Sequence, residues 1–110
     1  MPHYMVQWRY SQDNIRSLVQ SPDSRIETVR KGIESFEGQL HQYFFAFGEY
    51  DGVLICEFPD HERCVGFLAM VAAKGGATAL KTTPLIEPEE GKRAFERAGK
   101  TDTPYRPALS

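Results

Sequence analysis

Apolar and polar residues alternate along residues 3–10, HYMVQWRY. Tyr4, Val6, Trp8 and Tyr10 share one side, and His3, Met5, Gln7 and Arg9 the other. A period of two is a strand signal. Residues 11–20 are polar with Ile15, Leu18 and Val19 embedded, which predicts a short helical turn. Ser21-Pro22 reads as a helix start, with serine as N-cap and proline at the first helical position. Ile26, Val29, Ile33 and Phe36 follow at spacings of three, four and three, and Gly38 is the expected stop. Residues 40–47 are aromatic-rich and strand-like, 48–52 form a glycine-flanked turn, and 53–58 form a second strand, so the three make a hairpin. Asp60 is placed to cap a helix whose inner stripe reads as Val65, Leu68, Ala69 and Ala72, with Phe67 and Val71 beside it. Gly75-Gly76 closes that helix, residues 77–83 predict a fourth strand, and Pro88 opens a last, mostly exposed helix to residue 98.

The order strand–helix–strand, strand–helix–strand is the ferredoxin-like βαββαβ unit, an α+β fold. It predicts one four-stranded antiparallel sheet with two helices on one face. Residues 1–99 form the domain on this reading, and 100–110, with two prolines, form a flexible tail. Tyr4/Val6/Trp8, Tyr43/Phe45/Phe47, Leu54/Cys56/Phe58 and Leu80 make the helix-side set. The opposite set, Met5/Gln7/Arg9, Gln42/Phe44/Ala46, Val53/Ile55/Glu57 and Ala77/Ala79/Lys81, is mixed but substantially apolar. A bare face carrying Met5, Phe44, Val53 and Ile55 would be a sizeable exposed apolar patch. A second copy stacked on it, giving a homodimeric barrel, is the simplest remedy.

At Gly48-Glu49-Tyr50-Asp51 the chain resembles the GYD family, named for that motif. The likeness extends to Tyr4-x-Val6 in the first strand, to Ile15-Arg16 and Ser21-Pro22, and to Glu57-x-Pro59-Asp60 after the hairpin, over residues 3–95. The resemblance implies a dimeric α+β barrel and brings no reaction with it. The wider fold group includes cofactor-free monooxygenases, muconolactone-type isomerases, haem enzymes and ligand-sensing domains, which is fold-level analogy only. Two features depart from the pattern. Gly52 follows the motif directly and is expected to loosen the hairpin, and the string Tyr43-Phe44-Phe45-Ala46-Phe47 is expected to shape any pocket.

Composition narrows the picture further. Thirteen Lys and Arg against fifteen Asp and Glu give a net charge of -2, without the basic excess of a nucleic-acid-binding domain. There is no apolar run of membrane-spanning length and no leader pattern, so a cytoplasmic protein with neither nucleic acid nor membrane as partner is expected. Cys56 and Cys64 are too few for a disulfide framework and read as reduced, buried thiols. The spacing of His3, His41 and His61 matches no metal motif, and no metal or cofactor is expected. His41, Tyr50 and Asp51 are the candidates for an acid or base. Trp8, Tyr43, Phe45, Phe36 and Phe67 are the candidates for an aromatic ligand pocket between sheet and helices. Three functions follow: a homodimeric domain binding a small apolar or aromatic molecule, a cofactor-free monooxygenase or isomerase acting on a cyclic aromatic or lactone, and a non-catalytic assembly module.

Overall fold

A computed structural model describes residues 1–22 and 25–108. The elements are β1 (His3–Tyr10), α1 (Gln12–Gln20), α2 (Arg25–Glu34), β2 (Gln39–Phe45), β3 (Gly52–Glu57), α3 (His61–Lys74), β4 (Ala77–Leu85) and α4 (Pro88–Lys100). The strands form one antiparallel sheet in the order β2-β3-β1-β4. This is the ferredoxin-like arrangement, with two further helices. Pro84 is tolerated because β4 is an edge strand, where a missing N–H costs no ladder bond.

The core lies on the helix side of the sheet. Tyr4, Val6, Trp8 and Tyr10 of β1, Leu54 and Cys56 of β3, and Phe58 pack there against Ile33, Cys64 and Phe67. Phe58, Ile33 and Cys56 are the largest side chains wholly removed from solvent. Both cysteines are free and buried. Burial pushes the Cys56 thiol up to about 12, and that of Cys64 up to about 11.

Local chemistry explains where helices start and stop. Asp60 caps α3, its carboxylate accepting from the Arg63 N–H at 2.9 Å, and Gly75 closes it at φ 78°. The end of α2 differs from expectation. Glu37, not a glycine, takes the left-handed φ of 64°. The Gly38 N–H then donates to the Ile33 carbonyl and the Glu37 N–H to that of Glu34, both at 3.0 Å, a Schellman closure. Gly38 is needed for a different reason: a Cβ there would lie 2.6 Å from the Phe58 ring.

Several assignments shift. Ser21 closes α1, its N–H donating to the Ser17 carbonyl, instead of opening the next helix; Asp23 and Ser24, just before α2, lie outside the described residues. Ile26 is exposed, so α2 turns only Val29 and Ile33 inward. The inner stripe of α3 is Cys64, Phe67, Leu68 and Val71, while Val65 is 61% exposed. Cysteine packs as a small hydrophobe there, which rotates the helix relative to the alanine-based stripe. Ala77 faces the core, because the β1–β4 register shifts between Arg9 and Tyr10. Phe47 leaves the sheet and is fully exposed. Gly52 does not loosen the hairpin. A Cβ at that position would lie 2.2 Å from the Trp8 indole, so glycine is what lets the ring lie flat on β3.

The radius of gyration is 17.9 Å, against about 13 Å for a compact chain of this length. The excess comes with α4, which has no buried residue, and with the exposed residues 101–108 that follow it. Leu109 and Ser110 lie outside the described residues. Among the described residues, no helix is long and apolar enough to cross a membrane.

Candidate functional site

A cavity of ≈ 60 Å³ lies between the aromatic side of the sheet and helices α2 and α3. Trp8, Tyr10 and Tyr43 form its sheet wall, Leu80 and Ala77 its β4 side, and Val29, Phe67 and Val71 its helix side. Arg25, at the start of α2, completes the lining. A second cleft of ≈ 280 Å³ shares Arg25, Val29, Phe67, Val71 and Gly76 with the cavity and continues outward past Asn14, Met70 and Lys74. The two make an inner apolar chamber and an outer vestibule, with Arg25 common to both.

The polar groups of the chamber are few. The hydroxyls of Tyr10 and Tyr43 lie 2.9 Å apart. Burial, and then the bond to Tyr10, raise the Tyr43 pKa, while the Arg25 charge pulls it down; the phenol stays protonated at neutral pH. Among the described residues, the Arg25 Nε is buried without a hydrogen-bond partner. An unsatisfied buried donor costs about 1–3 kcal/mol, more for a charged group, so an oxygen brought to this wall is favoured. The Gly75-Gly76 turn that frames the vestibule is fastened to α1 by the Asn14 amide, which donates to the Gly76 carbonyl at 3.0 Å.

The expected pocket residues divide. Trp8, Tyr43 and Phe67 line the chamber. Phe36 lines neither space; it stacks edge-on against Phe67, ring centroids 6.3 Å apart. Phe45 packs edge-on against Tyr43 at 5.5 Å and is 59% exposed, on an apolar patch with Ile15, Leu18 and Val19 of α1. The sequence carried no sign of Arg25 as a lining residue. Its signal, a cation opening a helix whose next residues are amphipathic, is shared by many solvent-facing arginines.

The GYD turn sits beside the sheet as a latch. The Asp51 carboxylate accepts from the Tyr10 backbone N–H at 2.9 Å, the Asp51 N–H donates to the Trp8 carbonyl at 2.8 Å, and the Asp51 carbonyl accepts from Ala46 at 2.8 Å. Asp51 thus ties the β2–β3 turn to the end of β1. Gly48 takes φ 141°, a conformation that residues with a side chain rarely adopt. Arg9 donates to the Glu49 carbonyl and lies 6.0 Å over the Tyr50 ring. Neither Tyr50 nor Asp51 lines the chamber or its vestibule.

His41 is on the opposite, open face, at the far end of the sheet from this turn. Leu40 pairs with Cys56 and Gln42 with Ile55, which leaves His41 as the extra residue of a β-bulge. Its Nε2 lies 2.9 Å from Glu57 Oε1, and its ring stacks on His3 at 5.2 Å. His61, exposed at the start of α3, shares a cleft with His3 but does not belong to this cluster; its Nδ1 lies 2.6 Å from the Tyr4 hydroxyl.

A four-stranded antiparallel sheet with its core on one face and a latched hairpin turn defines an α+β domain of the ferredoxin-like class. The family model described as GYD domain matches residues 4–95, and the chain belongs to that family. No curated protein matches it. Solved structures share the fold at low identity. FFRP-DM1 is 14% identical with a TM-score of 0.58, over 78% of this chain and 100% of that one. MtbAldR is 20% identical with a TM-score of 0.53, over 78% of this chain and 52% of that one. A hypothetical protein from Pyrococcus horikoshii is 12% identical with a TM-score of 0.54, over 79% of this chain and 92% of that one.

Proposed function

We propose that this GYD domain is a homodimer that binds a small, flat, apolar molecule carrying a carboxylate or carbonyl oxygen. The observation that carries the reading is the buried Arg25 Nε, without a hydrogen-bond partner among the described residues, on the wall of an aromatic chamber. The apolar body of such a ligand would lie against Trp8 and Phe67, and its oxygen would answer Arg25 and the tyrosine pair. His41, Tyr50 and Asp51 stand away from the chamber, so binding without turnover is the reading favoured here. The dimer reading rests on the open face, where Met5, Val53 and Ile55 are only half-buried and Phe44 is 54% exposed.

Trp8 is the single tryptophan, so its fluorescence reports on the chamber directly. Titration with benzoate and cinnamate should give a saturable change, weakened about tenfold or more by Arg25→Met, the scale of one lost charged hydrogen bond. Fluorescence that never saturates, or that responds identically in the variant, would overturn the ligand reading. For the dimer, Ile55→Asp should sediment as a folded monomer at concentrations where the wild type is dimeric; a wild type already monomeric would remove that part of the proposal.

A further inference from the structure

We propose that His3, His41 and Glu57 form a binding site for a divalent transition-metal ion on the open face of the sheet. A ring nitrogen of each histidine and a carboxylate oxygen of Glu57 all lie within 4.8 Å of one another. The residues come from β1, β2 and β3, and the strand order brings them together: His3 pairs with Glu57 across β1 and β3, and His41 flanks Glu57 from β2.

Donors around a four-coordinate zinc ion, with bonds of about 2.0–2.2 Å, are roughly 3.4 Å apart. His41 and Glu57 are already at 2.9 Å, and the soft terminal torsion of the His3 ring closes the remaining gap. The set is held in place before any ion arrives. Glu57 has a side chain only 14% exposed, His3 27% and His41 33%. The His3 Nδ1 lies 3.2 Å from the Met1 carbonyl, with Glu87 at 3.7 Å. A ligating histidine characteristically gives its other ring N–H to such a carbonyl or carboxylate. Among the described residues, this leaves the second nitrogen of His3 uncommitted.

Two imidazoles and one carboxylate select the borderline ions Zn2+, Co2+ and Ni2+ over Mg2+ and Ca2+, which take oxygen donors. Three protein donors leave a coordination position open to water or to a ligand oxygen. Binding through the same atoms would exchange the His41–Glu57 hydrogen bond for two metal bonds, the imidazole then carrying its N–H on the other ring nitrogen. The site is on the face opposite the aromatic chamber and does not depend on what the chamber binds.

The test uses the full chain without an affinity tag, stripped with chelator and titrated with Zn2+ by calorimetry and with Co2+ by absorption. The expected result is one ion per chain, and a Co2+ spectrum without thiolate charge transfer. His3→Ala, His41→Ala and Glu57→Gln should each weaken binding about tenfold or more, at unchanged circular dichroism, while His61→Ala binds as the wild type. Absence of saturable Zn2+ binding, a thiolate signature, or cluster variants that bind as the wild type would overturn the assignment. A His61→Ala variant that loses the ion would do the same.

Discussion

The two faces of one sheet are built from the same strands and behave as opposites. The helix side carries Tyr4, Val6, Leu54, Cys56 and Phe58, all nearly or wholly buried. The open side carries His3, Met5, Gln7, Val53, Ile55 and Glu57, every one left half-buried. The pleat sends successive side chains to opposite faces, so a single strand writes both programmes at once. The first face is closed by covalently attached helices, and its contents need only fit. The second is left without a cover by the described residues, and it mixes apolar groups with a histidine–carboxylate cluster. A face meant only for water would not need Phe44 and Ile55, and one meant only for a dry interface would not need His3, His41 and Glu57.

The two faces should differ most in their tolerance of truncation, and Phe58 is the extreme case. Phe58→Ala should cost about 3–5 kcal/mol in urea unfolding, whereas Phe44→Ala should cost under about 1 kcal/mol in a monomer. Similar losses at the two positions would mean that the open face is as integral to the fold as the core. Next comes Gly52→Ala, which drives a methyl into the Trp8 indole. A loss of about 1–3 kcal/mol with a shifted Trp8 emission is expected; an unperturbed emission would show that the ring does not rest on β3.

Alkali sharpens the contrast chemically. Unfolded thiols lose their protons near 9.0, but folded Cys56 and Cys64 hold theirs to about 12 and about 11. Above pH 9 the unfolded state therefore binds fewer protons than the folded one, and stability falls as pH rises. The contribution is fully present below pH 9 and is lost progressively up to about 11–12. Urea midpoints at about pH 8 and 10.5 should differ in that direction, and replacing both cysteines by alanine should flatten the difference even as it lowers stability. The smallest effect is expected from truncation after Lys100. Residues 101–108 are exposed, and their removal should change a monomer's stability by about 1 kcal/mol or less, a few degrees in the melting midpoint. A larger drop would mean that the C-terminal segment packs on the domain or on a second copy.

The order of elements, the α+β class and the faces of β1 and β3 are legible from local pattern alone. Period-two alternation and capping residues act over a few positions, and they need no knowledge of what lies across the fold. The GYD motif was legible as a turn for the same reason. Tertiary structure decided the rest. The stripe of α3 settled on Cys64 and Phe67 because a helix with apolar residues on several sides is oriented by what it meets. The bulge at His41 lets Leu40 face the core while His41 meets Glu57, and that depends on register with β3. Gly52 gained its role only when the Trp8 indole lay across it. Arg25 became a wall of the chamber only when α2 docked on the sheet. Positions 3, 41 and 57 carry no shared spacing; they are neighbours because β1, β3 and β2 are adjacent, and strand pairing is set by burial summed over the whole sheet.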